Sequence, residues 1–234
     1  MVFFHAGGFV MADSSSSDQC LRVLADACEI DILAPSYALA PEHPFPAAVE
    51  DAHAVLAQAV THRREMGWKG KHLFVGGVEA GGNLAAVSAM MCRDRQGPKL
   101  AGQILVMPML DAGLHCKSMR CGADLPATRG VVDALERSYR SYLKHPADRL
   151  HPYASPLQAT RLSQLAPALV FYTEGDPLSD EAKAYADKLR LAGNEVELNG
   201  LPPADVGDEE QRCTITADDP CVTIMKRFLD ALRC

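Results

Sequence analysis

The 234-residue chain is predicted to be a single α/β domain, a mostly parallel sheet with helices on both faces. Short apolar runs alternate with longer helical stretches along its whole length, the rhythm of consecutive β–α–β units. One run, Leu73-Phe74-Val75, passes into a glycine-bracketed turn and then a helix-forming stretch. The C-terminal segment starts Asp219-Pro220 and puts Val222, Met225, Phe228, Leu229 and Leu232 on one stripe, a capped helix lying on a core.

Strands are expected at Val2 to Phe4, Asp31 to Ala34, Leu73 to Gly76, Ile104 to Met107, Ala168 to Thr173 and Glu195 to Leu198. Helices are expected from Ser17 to Ala27, Ala47 to Arg63, Gly82 to Arg93, Val131 to Leu143, Asp180 to Leu191 and Cys221 to Leu232. The Ser14 to Ser17 run reads as a loop leading into a helix cap. Pro35 has no N–H to give to a ladder, so the Asp31 to Ala34 strand ends abruptly or lies at an edge.

Composition narrows the function classes. A formal net charge of −7 without any basic run argues against nucleic-acid binding. No apolar stretch reaches membrane-spanning length, and Met1 to Val10 lacks a basic leader, so a soluble intracellular protein is expected. The cysteines at 20, 28, 92, 116, 121, 213, 221 and 234 form no C-x-x-C pair, which favours scattered reduced thiols; only Cys116 and Cys121 flank a loop in a way that suits a bridge. No cofactor and no metal is expected.

The chemistry-bearing segment is Gly77-Val78-Glu79-Ala80-Gly81-Gly82-Asn83. It has the spacing of the G-x-S-x-G nucleophile elbow, a strand-to-helix turn that lifts one side chain above the sheet. Glu79 stands at the apex, where the motif has serine.

Three further segments fit the same pattern: His5-Ala6-Gly7-Gly8-Phe9, then Tyr37-Ala38-Leu39-Ala40-Pro41-Glu42-His43-Pro44-Phe45-Pro46-Ala47-Ala48, and Asp176-Pro177-Leu178-Ser179-Asp180-Glu181. In this order they resemble the hormone-sensitive-lipase-like branch of the α/β hydrolases, which are carboxylesterases and lipases. The resemblance implies an α/β-hydrolase fold, an oxyanion hole formed by the N–H groups of Gly7, Gly8 and Ala80, and Asp176 as the acid that orients the catalytic histidine. Alanine at 6 and 38 replaces the family's glycine and arginine. Val206 falls where the family has its histidine base, after the strand ending at Leu198, and the last histidine in the chain is His151.

Serine is a weak nucleophile until an adjacent base takes its proton, and the same base later protonates the leaving group. With Glu79 and Val206 in those places, a degenerate hydrolase retained as a structural or binding subunit is expected. The alternative is a carboxylic-ester hydrolase with residual or altered activity, using Glu79 or a base from a partner chain. Glu79 itself has two readings: its carboxylate fills the anion site at the helix N-terminus from within, or it points to solvent. His5 is read as holding the loop by hydrogen bonding. His43 belongs to a structural turn, and His145 and His151 to a solvated segment. Asp176, lacking a histidine, caps the helix that follows.

The resemblance also implies an N-terminal helical cap and two leading strands ahead of Val2, both missing from this sequence. An open pocket and an unpaired edge at Asp31 to Ala34 are therefore expected, with the edge covered by a protein partner or an oligomer and a small ester-like ligand as another possible occupant. Residues 111 to 129 are the candidate for a partial roof.

Overall fold

The computed structural model describes residues 1–12, 15–202 and 219–233. Its five strands are β1 (Val2–Phe4), β2 (Phe74–Val78), β3 (Gly102–Val106), β4 (Ala168–Thr173) and β5 (Val196–Leu201). All are parallel and lie side by side in chain order. Parallel neighbours cannot be joined by tight turns, so each strand is reached by a crossover through helix. The helices are α1 (Ser15–Cys28), α2 (Ala47–Thr61), α3 (Ala80–Asp94), α4 (Lys117–Asp124), α5 (Pro126–Tyr142), α6 (Ser179–Leu191) and α7 (Pro220–Arg233).

Helices cover both faces, as the near-continuous apolar strands require. Every residue of β2 and β3 is buried. Side chains alternate along a strand. Gly77 therefore faces Gly81 of α3, whereas Gly102 faces Leu232 and Phe228 of α7. Gly77 pairs with Leu105, and Phe74 pairs with Gly102, so α3 and α7 lie on opposite faces. The α7 stripe packs as its sequence suggests: Val222, Met225, Phe228 and Leu229 are buried, and Cys221 donates its N–H to Asp219 Oδ1 at 3.1 Å.

The Asp31 to Ala34 strand is contracted to one residue. Leu33 makes a single parallel bridge with Val2, its N–H donating to the Met1 carbonyl at 2.8 Å and its carbonyl accepting from the Phe3 N–H at 2.9 Å. Pro35 follows two residues later and cannot extend the ladder. Residues 31 and 34 are exposed at this edge.

The other departure is α4, a helix within residues 111 to 129 that the sequence does not predict. It is polar and short, with only Met119 and Gly122 buried, so it shows little apolar periodicity. Helix α5 also starts five residues earlier than expected, at Pro126 in the first turn, a position where the missing proline N–H costs nothing.

Candidate functional site

The residues singled out by sequence emerge from the C-terminal ends of neighbouring parallel strands, the end where ligands bind in open α/β sheets. Gly7 and Gly8 follow β1, Glu79 follows β2 and Asp176 follows β4.

Glu79 sits at φ +51°, a left-handed conformation that side-chain-bearing residues seldom adopt and that costs on the order of 1–3 kcal/mol. Three backbone bonds hold it there. Its N–H donates to the Val106 carbonyl at 3.0 Å, and its carbonyl accepts from Asn83 N–H at 3.0 Å and Met109 N–H at 3.1 Å. The flanking glycines explain why the turn can be this tight. A Cβ on Gly81 would meet the His5 carbonyl oxygen at 2.6 Å, and one on Gly77 would meet the Phe4 carbonyl oxygen at 2.8 Å. The elbow backbone thus rests directly on β1. The Glu79 side chain is half-buried at the N-terminus of α3, where the helix dipole favours negative charge.

The loop after β1 runs through two left-handed glycines, Gly7 at φ +117° and Gly8 at φ +58°. The Gly7 carbonyl accepts from Val10 N–H at 3.0 Å and Met11 N–H at 2.9 Å, curling the loop on itself. His5 holds its base as expected, with Nδ1 at 2.5 Å from the Ala6 carbonyl, and it also stacks on Tyr37 with ring centroids 4.2 Å apart.

Asp176 is buried, at 4% exposure, and its Oδ1 accepts the Leu178 N–H at 2.8 Å just ahead of α6. This bond closes an Asx turn leading into α6, whose first turn carries no side-chain cap. Val206 lies outside the described residues. His43, His145 and His151 are exposed, and Cys116 and Cys121 are both free thiols.

Helices α4 and α5 bridge the loops that carry these residues. Ser118 of α4 donates its hydroxyl to the Pro177 carbonyl at 2.7 Å and its N–H to Asp180 Oδ2 at 2.8 Å, beside Asp176. At the other end, Tyr142 of α5 stacks on Phe9, and Ser138 sits so close to Gly8 that a Cβ there would come within 2.9 Å of the serine Cβ. Residues 117 to 142 thus tie the loop after β1 to the loop before α6.

The loop leaving β3 was not recognised as part of the site. Besides the Met109 bond to Glu79, the Asn83 side chain donates to the Met109 carbonyl at 2.7 Å and to the Ala154 carbonyl at 3.0 Å. Glu181 Oε2 accepts the N–H of Leu110 at 2.6 Å and of Asp111 at 2.9 Å. The available signal was a glutamate in the first turn of a helix otherwise buried on that face. Among the described residues, no three His, Cys, Asp or Glu side chains are grouped to hold a metal ion, and no helix is long and apolar enough to cross a membrane.

A family profile described as an α/β hydrolase fold matches residues 1–204. The chain belongs to the α/β-hydrolase family. Among similar α/β hydrolases is the carboxylic ester hydrolase LipN of Mycobacterium tuberculosis, 40% identical over 208 residues that make up 86% of this chain and 54% of LipN. The carboxylesterase NlhH of the same species is 34% identical over 203 residues, 86% of this chain and 64% of that protein. The chain thus spans between about half and two-thirds the length of these curated relatives. Among solved structures, the metagenomic carboxylesterase EstE1 aligns with a TM-score of 0.91 at 30% identity, covering 100% of this chain and 80% of EstE1. A hyperthermophilic esterase from Pyrobaculum calidifontis aligns at 0.85 and 32% identity, over 99% of this chain and 76% of that one. These relatives agree with the hormone-sensitive-lipase-like resemblance carried by the four motifs.

Proposed function

We propose that this α/β hydrolase of the carboxylesterase and lipase type is catalytically silent toward esters and is retained as a structural or binding subunit. The observation that carries the reading is Glu79 at the apex of an intact elbow. Gly77, Gly81 and the strained backbone support a nucleophile position, and the residue presented there is a carboxylate. Gly7, Gly8 and Ala80 are assigned to the oxyanion hole, Asp176 to the acid position and Val206 to the base position. No histidine follows Asp176 in the sequence, so the order nucleophile, acid, base cannot be completed within it.

A carboxylate needs no deprotonation to attack, yet the ester it forms must be hydrolysed by an activated water. Valine activates none. Losing nucleophile and base together removes groups that act as a unit, which leaves little residual chemistry. The names of the relatives favour the second reading, ester hydrolysis through Glu79 or with a base from a partner chain. In the first reading, the exposed edge beside Leu33 is where a protein partner adds main-chain hydrogen bonds.

The test is covalent trapping. Incubated with an aryl phosphonate that esterifies activated serine hydroxyls, the protein keeps its mass. A saturable adduct mapped to Glu79 or to any serine overturns the reading.

A further inference from the structure

Glu181 is wholly buried at the start of α6, and its two oxygens fare differently. Oε2 takes the N–H groups of Leu110 and Asp111 in the β3–α4 loop, while Oε1 has no hydrogen-bond partner. A buried polar atom left unpaired costs on the order of 1–3 kcal/mol, so its surroundings need an account. Tyr139 of α5, equally buried, presents a hydroxyl that also lacks a partner. The two groups feel each other electrostatically, together with Asp111.

The charged and titratable groups facing Glu181 are mostly acidic. Asp111 comes from the loop after β3, Asp176 from the loop before α6, Cys116 from the N-terminus of α4 and Tyr139 from α5. Arg149 is turned toward this region, but its guanidinium donates to the Ala112 carbonyl and acts on Tyr139. Asp111 spends its own oxygens on the N–H groups of Gly113 and His115 at 3.0 and 2.9 Å, and its Oδ2 also lies 3.2 Å from Nδ1 of the exposed His115 imidazole, which faces Asp111 and not Glu181. An ionised Glu181 would therefore be a third carboxylate in a dry acidic pocket, and the neutral acid avoids that cost. In accord with this, burial pushes its carboxyl up to about 8.

We infer that Glu181 is a positioning residue that works as the neutral carboxylic acid: Oε2 pins the Leu110–Asp111 backbone, and on loss of the proton the cost of a buried charge beside Asp111 and Asp176 is relieved by opening the loop beneath Glu79 to solvent. The wiring from Glu181 to the elbow is short. It passes from Leu110 to Met109, whose N–H holds the Glu79 carbonyl. The device is independent of whether Glu79 does chemistry, because it sets the position of the apex and not its reactivity.

The test follows the proton and the loop together. In the full chain labelled with 13C at glutamate side chains, one carboxyl resonance, assigned by its loss in Glu181→Gln, stays at the neutral-acid shift at about pH 6 and titrates in the alkaline range. Hydrogen exchange at Leu110 and Asp111, corrected for the intrinsic rate, is roughly tenfold faster at about pH 9 than at about pH 6 in the parent and unchanged in Glu181→Gln. A Glu181 carboxyl ionised at about pH 6 overturns the inference, as does equal pH dependence in parent and Gln variant. If Glu181→Gln fails to fold, titration of the resonance that responds to Tyr139→Phe decides the same question.

Discussion

The Phe9 ring lies flat on Tyr142, with centroids 3.9 Å apart and planes within 3° of parallel, and it ties the loop after β1 to the last turn of α5. Both rings are fully buried, and Phe45 packs edge-on against Tyr142 at 5.8 Å. The main chain repeats the link, since Phe45 N–H donates to the Tyr142 carbonyl at 2.8 Å and Ala40 N–H to the Phe9 carbonyl at 2.9 Å. The segment before α2, the glycine loop and α5 are thereby one packed unit.

Tyr142→Ala is expected to destabilise the protein by about 3–5 kcal/mol, because it removes a ring at the junction of three segments. Tyr142→Phe is expected to cost less than about 1 kcal/mol, or nothing, because the hydroxyl is buried without a partner. Urea unfolding of the two variants measures both. Similar losses for Phe and Ala would show that the hydroxyl, and not the stacking, holds the junction.

Two glycines separate tolerance from strain. Gly81→Ala is expected to abolish folding or to cost about 3 kcal/mol or more, since its methyl enters the space of the Phe4 and His5 carbonyls. Gly130→Ala lies in α5 with nothing within 4 Å, and it is expected to stabilise by about 0.5–1 kcal/mol through helix propensity. Thermal melts of both variants check the pair; a benign Gly81→Ala would contradict the close approach of elbow and β1.

Stability is expected to fall as pH rises from 4.5 to about 8. Glu181 binds its proton more tightly when folded than when unfolded, because burial raises its pKa from 4.5 to about 8. The folded state therefore holds more protons in that window. The contribution is full below the unfolded value and is lost as pH rises through about 8. Melting followed from acid to alkaline pH should show the loss in the parent and much less of it in Glu181→Gln; a parent that gains stability over the same range contradicts the assignment.

Glu79→Ser alone is expected to restore little ester hydrolysis, whereas Glu79→Ser combined with Val206→His restores a measurable rate, because nucleophile and base depend on each other. Steady-state assays with a short-chain aryl ester compare the two. Robust turnover by the single variant would show that Val206 does not occupy the base position.

The exposed edge beside Leu33 is expected to exchange its amide hydrogens more slowly in native material than in the isolated chain, as a bound partner would bring about. Equal exchange in a well-behaved monomer removes the argument for a partner there.

The fold was legible because strand runs such as Ala168 to Thr173 are continuous and apolar, and because the glycines at 77 and 81 mark a turn that no other residue fits. At Asp31 to Ala34 the sequence signals an early stop through Pro35, yet nothing in the run shows that Leu33 alone meets β1. Helix α4 escaped because its few buried positions give no periodic signal. Of the site, Glu79 and Asp176 could be read from motif spacing. The hold of Glu181 on Leu110 and Asp111 could not, because it joins residues some 70 positions apart and only the sheet order brings them together.

The most direct measurement of the central claim is hydrolysis of a short-chain aryl ester by the purified, unmodified chain at neutral pH. The account predicts the rate of buffer alone. Hydrolysis that saturates with substrate and disappears in Glu79→Ala would contradict it and establish Glu79 as a working group.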